Sequence, residues 1–294
     1  MSGDSFHHVR DFGYFELPGG HHISLPQIAG LQITKFMVLQ LAAFLICLFV
    51  FRGLARRIQS GEPARGRFWN FWEAIALYIR DEVVRPTIGD HHHDQGDEYD
   101  FHGEGSHGHG PAVHAKHGSH PADQYLPFLW SCFFYILICN LLGAVPFLGS
   151  ATASISVTAA LALCAFIATV MYGFQAMGPG GFFKNMMPDT GVPGPFGSGL
   201  TLGIFGIEIF GFFIKHGVLA VRLFANIMGG HTVLGVILGF IAIQNVGWLW
   251  GPITVGSIGM QIFIGCLELF VAFLQAYVFT FLATIFIAGA VHEH

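Results

Sequence analysis

The chain has 294 residues, 53% of them hydrophobic and only 11% charged, with a formal net charge of −5. A soluble domain carries about 25% charged residues, so the balance excludes an ordinary water-soluble globule, and no nucleic-acid partner is expected. Five cysteines, Cys47, Cys132, Cys139, Cys164 and Cys266, all lie in apolar segments without a CxxC pair, which argues against a disulfide frame or a structural zinc site.

Residues 1–27 are polar, have no early apolar run and predict no cleavable leader. Residues 28–51 form the first candidate span, with Lys35 near one end where its stem can snorkel. Basic residues follow at once, at Arg52, Arg56, Arg57, Arg65 and Arg67. In 66–85, Phe68, Phe71, Trp72, Ile75, Ile79 and Val83 recur at helical spacing, with Glu73, Arg80 and Asp81 elsewhere on the wheel. That pattern predicts an amphipathic helix on the membrane surface rather than a crossing. Residues 89–124 are a low-complexity insert with His91, His92, His93, His102, His107, His109, His114, His117 and His120 among Asp, Glu and Gly. With no apolar periodicity, the insert reads as a solvated loop; divalent-metal binding or proton buffering is the less favoured reading, and no metal ligand or cofactor is assigned.

Two ordinary spans are predicted at 126–148 and 153–177, and the Gly/Pro-rich connector 178–198 should break helix. Two apolar stretches exceed an upright span. As single helices, 199–243 would measure roughly 66 Å and 253–290 roughly 56 Å at ~1.5 Å per residue. Each is either two short helices or one long, strongly tilted helix. Seven of the 13 Lys and Arg residues lie between 52 and 85. The positive-inside rule therefore puts 52–125 and 178–198 in the cytoplasm. Five crossings then leave the N-terminus outside and the C-terminus cytoplasmic. The fold class expected is an all-α polytopic membrane protein with five crossing helices plus one amphipathic surface helix. Its organisation would be an external segment 1–27, a first span and surface helix 28–88, the His-rich loop 89–124 and a core 125–294.

A charged residue near the bilayer centre costs about 2.5–3.5 kcal/mol on insertion scales and is usually functional or paired. Within 199–243 the polar residues are Glu208, Lys215, His216, Arg222, Asn226 and His231; within 253–290 they are Gln261, Glu268 and Gln275. At ~100° per residue, Glu208, Lys215, Arg222 and Asn226 fall within about 40° of one another and form a polar stripe. Glu268 and Gln275 make a second stripe. His231 projects opposite Arg222, towards a different cavity unless the helix curves or breaks at Gly229-Gly230. Lone intramembrane amides usually satisfy one another, and Lys215 can snorkel. Arg222 cannot shed its charge, so it requires a wet cavity or an anion.

The run VRLFANIMGGH (221–231) resembles the signature of subunit a of the F-type ATP synthase. PFLWSCFFYILICNLLGAVPF, with Asn140 and Pro146, is similar to another span of that family, as are SATASISVTAALAL and ELFVAFLQAYVFTFLATIFI (268–287) with Glu268 and Gln275. The resemblance covers roughly 65–88 and 124–290, four blocks agreeing in order and spacing. It implies long tilted final helices against a ring of c subunits, a b-subunit peripheral stalk and the remainder of the complex in the cell inner membrane. It further implies a stator subunit with two offset aqueous half-channels. Arg222 would face the c-ring carboxylates, Asn226, His231, Glu268 and Gln275 would line the outer route, and Glu208 the cytoplasmic one. Some members carry Glu and His in the reverse order at the positions of His231 and Glu268. No Ser or Thr stands between Glu208 and Arg222, where some relatives place one; Lys215 and His216 are the remaining candidates. The chain would have no catalytic site of its own, and the choice between H⁺ and Na⁺ stays open.

Two other classes fit parts of the sequence. A secondary transporter would suit the Gly/Pro connector and Gly229-Gly230, but no internal repeat relates the halves. A haem-binding electron carrier needs paired intramembrane histidines, and only His216 and His231 qualify. Nucleotide hydrolysis is disfavoured because GPGGFFKNM (178–186) lacks phosphate-loop spacing.

Overall fold

A computed structural model describes residues 14–17, 21–24, 26–28, 31–58, 66–89, 120–145, 149–187, 195–242 and 250–291. The chain opens with two small antiparallel hairpins, β1 (Tyr14–Leu17) with β2 (His21–Ser24) and β3 (Gln27–Ile28) with β4 (Leu31–Gln32). The second hairpin corrects the first predicted span, whose opening residues are not helical. Helix α1 is Lys35–Ile58, and it ends on Arg56 and Arg57, cations that suit the negative end of the helix dipole. Lys35 is buried rather than reaching outwards.

The predicted amphipathic helix forms as α2 (Arg67–Tyr78), a π-helical turn Ile79–Val84 and α3 (Arg85–Gly89). It is not among the five helices long and apolar enough to cross a membrane. Trp72, Ala76, Ile79, Val83 and Val84 are buried, whereas Phe68 and Phe71 are exposed. The buried side meets α4 (Leu126–Gly143): the Trp130 Nε1–H donates to the Ala76 carbonyl at 2.9 Å, and Trp72 lies 5.5 Å from Phe134, ring centre to ring centre. A Cβ on Gly53 would run into the Trp69 ring, so a glycine lets α1 approach α2 there. Most of the His-rich insert, the Gly/Pro residues 188–194 and Pro146 lie outside the described residues.

Helix α4 is the centre of the bundle, with Leu129, Phe134, Ile136 and Leu137 fully buried. His120 Nδ1 accepts from the Ala122 N–H at 3.3 Å and caps the short 3₁₀ turn Pro121–Tyr125 that leads into it. A second 3₁₀ turn, Ala151–Ala153, precedes α5 (Ile155–Asn185). Phe36, Leu39 and Ala151 cluster, so the start of α1 and the α4–α5 turn share one end of the bundle. The predicted break after 177 occurs at Gly178, with φ 74° and ψ 164°, but the chain resumes helix from Pro179. That backbone conformation favours glycine.

The two overlong stretches are single helices, α6 (Pro195–Ala242, 48 residues) and α7 (Trp250–Val291, 42 residues). They would measure roughly 72 and 63 Å at ~1.5 Å per residue, too long to stand upright in ~30 Å of hydrocarbon. Thr158, Thr169, Thr280 and Thr284 are fully buried, and each hydroxyl donates to a carbonyl of the preceding helical turn. This satisfies the polar groups without water. The fold is an all-α five-span bundle with one further non-crossing helix, preceded by the hairpins. All five cysteines are free thiols.

Candidate functional site

The ionisable residues collect where α6 and α7 run antiparallel. The Asn226 side-chain amide donates to Gln275 Oε1 at 2.6 Å. Five residues further along α6, His231 Nδ1 lies 3.9 Å from Glu268 Oε1, with side chains 19% and 11% exposed. The two contacts advance in opposite directions on the two helices, as antiparallel packing requires. Gly230 permits the close approach, since a Cβ there would sit 2.9 Å from Glu268 Oε1. Helix α6 continues unbroken through Gly229-Gly230. His231, opposite Arg222 on the wheel, thus finds its partner on α7.

Arg222 is exposed and makes no hydrogen bond or ion pair with the described residues. Its flanks are the exposed apolar side chains Val218 and Val221. Glu208 and Lys215 pair with each other, Oε1 to Nζ 3.6 Å, with both side chains about half exposed. They line a cavity of about 800 Å³ with Lys184, Phe212 and Phe286. The sequence-predicted residues therefore divide into an α6–α7 group (Asn226, His231, Glu268, Gln275), a cavity pair (Glu208, Lys215), and Arg222, which is hydrogen-bonded or ion-paired to neither. His216 is buried against Phe166, Phe212 and Phe286.

Sequence reasoning missed a buried polar cluster beside this site. Thr152 Oγ1 donates to Asn140 Oδ1 at 3.0 Å and lies 2.8 Å from Ser150 Oγ, while the Asn140 amide reaches the Ala272 carbonyl at 3.4 Å. Ala272 is one turn before Gln275, whose Nε2 is buried with no partner among the described residues. An Asn in an apolar span was the available signal; its partners in the 150–152 turn were not legible. Outside the spans, Arg85 grips Asp123 through two nitrogens at 2.9 and 3.0 Å and also reaches Asp81 at 3.2 Å. The hydrogen bond from Arg80 holds the Asp81 carboxyl below its ordinary pKa, against a smaller effect of burial. No cluster of three or more metal-ligating side chains occurs among the described residues.

Five apolar spans with ionisable groups gathered on one helix pair define a polytopic helical membrane protein. Residues 112–288 match the family described as ATP synthase A chain. An "ATP synthase subunit a" of Anaeromyxobacter dehalogenans (strain 2CP-C) is 36% identical over 261 residues, 88% of this chain and 58% of that protein. One of Chloroherpeton thalassium is 32% identical over 298 residues, covering 99% and 77% of the two chains. One of Myxococcus xanthus is 34% identical over 267 residues, covering 90% and 75%. This chain spans little more than half the length of the Anaeromyxobacter relatives. It belongs to the ATP synthase A chain family.

Proposed function

We propose that this chain is the stationary, proton-conducting subunit of an F-type ATP synthase membrane sector. The observation that carries the reading is Arg222, a permanent cation exposed on α6 between the exposed apolar side chains Val218 and Val221, with no hydrogen bond or ion pair to an anion among the described residues. Its mate belongs on another subunit, in this reading a member of the c ring. A fixed guanidinium favours the ionised form of a carboxylate brought beside it, so a protonated c subunit arriving there releases its proton. The same charge repels protons moving straight from one access route to the other. Protons would then cross only by riding the ring, each yielding about 2.3 kcal/mol per 100 mV.

Two offset routes serve that exchange. The outer route runs along Asn226, Gln275, His231 and Glu268, where a carboxylate and an imidazole lie 3.9 Å apart and can both bind protons. The cytoplasmic route enters through the Glu208–Lys215 cavity. The basic end of the bundle faces the cytoplasm of a cell inner membrane, and a b-subunit stalk holds the chain against rotation. Phosphate chemistry belongs to partner subunits.

The test is Arg222→Ala in membrane vesicles. ATP-driven proton pumping is expected to vanish while the soluble sector still hydrolyses ATP. Normal pumping by that variant would contradict the assignment.

A further inference from the structure

The cytoplasmic route, as proposed, has a gap between Glu208 and Arg222, and one buried polar side chain, His216, lies between them along the helix axis. Among residues 209–221 only Lys215 and His216 carry polar side chains, and Lys215 is paired with Glu208. His216 stands eight residues after Glu208 and six before Arg222. Those separations are about 12 and 9 Å along the axis at ~1.5 Å per residue. Its side chain is 4% exposed. Nδ1 lies 2.9 Å from the Phe212 carbonyl oxygen. A carbonyl only accepts, so Nδ1 carries the hydrogen and Nε2 presents a lone pair. Nε2 is buried and has no partner among the described residues.

The surroundings suit a proton that stays briefly. Ring centres of Phe286, Phe212 and Phe166 lie 4.7, 4.8 and 5.2 Å from the imidazole. Such an apolar box disfavours a lasting charge, so a proton taken up there is passed on rather than held. Two of these rings, Phe212 and Phe286, are also walls of the Glu208–Lys215 cavity. These two rings therefore touch the imidazole and the cavity alike. The charged groups on the cavity side are Glu208 and Lys215 of α6 and Lys184 of α5, while α7 contributes Ile285, Phe286, Gly289 and Ala290, none of them titratable.

We infer that His216 is the proton-transfer station between Arg222 and the Glu208–Lys215 cavity, an inference that rests on the proposed function. A proton leaving the Arg222 side as hydronium is taken by Nε2: an O–H bond breaks, an N–H bond forms, and water and imidazolium result. Once these two rings turn aside, the N–H bond breaks and the proton passes to a cavity water, restoring the neutral ring. Nδ1 keeps its bond to Phe212 throughout, so the register of the ring is preserved. Neither step needs a co-reactant other than water.

The test uses the assembled complex in vesicles stripped of the soluble sector, with passive proton flux measured while only the cytoplasmic-side pH is varied. His216→Phe, which keeps an aromatic ring in the box, should lower flux about a hundred-fold and abolish the His216-dependent inflection in the cytoplasmic-side profile. His216→Gln retains a polar side chain that cannot hold a proton, and should behave the same way. Response to outer-side pH, which reports His231 and Glu268, should persist in both. Wild-type flux with an unchanged cytoplasmic profile in either variant overturns the inference. If Arg222→Ala abolishes pumping in that case, the proposed function stands without it. Normal pumping by Arg222→Ala overturns both. Complex content measured in the same membranes separates lost transfer from lost assembly, and flux per assembled complex decides between them.

Discussion

Helices α4 and α6 are both apolar enough to span a membrane, yet they are buried to opposite degrees. Of their most apolar stretches, 61% of α4 but only 17% of α6 is buried inside this chain. Helix α4 packs against α1, the π-helical turn Ile79–Val84 and α7, and its one strongly polar side chain, Asn140, is satisfied by Thr152 and the Ala272 carbonyl. Helix α6 packs one side on α5 and α7 and presents Ile207, Phe210, Val218, Val221 and Arg222 outwards. The contrast teaches that equal hydropathy serves two ends. One helix is apolar because it is core; the other keeps an open apolar face, which on the proposed reading meets lipid and, at Arg222, a partner.

The largest effect expected is the loss of pumping in Arg222→Ala, which would leave the bundle intact because the guanidinium makes no hydrogen bond or ion pair with the described residues. Next come paired truncations of the two helices. Phe134→Ala, in the α4 core, should destabilise the detergent-solubilised chain by about 3–5 kcal/mol, seen as a lowered melting temperature. Phe210→Ala, at 67% exposure on α6, should change stability by less than about 0.5 kcal/mol. Equal losses at the two sites would break the comparison.

The smallest effect concerns the polar end of the bundle. Asp81 has a folded pKa below its unfolded one. Its contribution is therefore present above the ordinary carboxylate pKa and is lost as pH falls through the depressed folded value. Exposed pairs of this kind contribute only about 0–1 kcal/mol. Acidification from pH 7 to about 3 should lower the melting temperature slightly less in Asp81→Asn than in the parent chain.

Much of this division was legible beforehand. Apolar run length revealed all five spans, and the wheel put Glu208, Lys215, Arg222 and Asn226 on one stripe. The helix–helix contacts were not legible. A wheel reports the face a residue occupies but not which neighbour crosses it, so Asn226–Gln275 and His231–Glu268 required the antiparallel packing of α6 on α7. The start of α1 was misplaced because residues 28–34 are apolar enough to read as span, while the local chain pairs β3 with β4 instead. Asn140 was visible as an oddity, but its partners in the 150–152 turn are set by tertiary contact. His216 was visible only as a spare imidazole; its box comes from three different helices.

The central claim is that the open face of α6 at Arg222 meets a second, moving subunit. The most direct measurement is cross-linking from Val218→Cys, one turn from Arg222 and exposed on the same face. The account predicts a product with a small ring-forming c subunit in the assembled complex, and a block of ATP-driven proton pumping once it forms. An assembled complex in which this cysteine cross-links to no c subunit, at any position along its carboxylate-bearing helix, would contradict it.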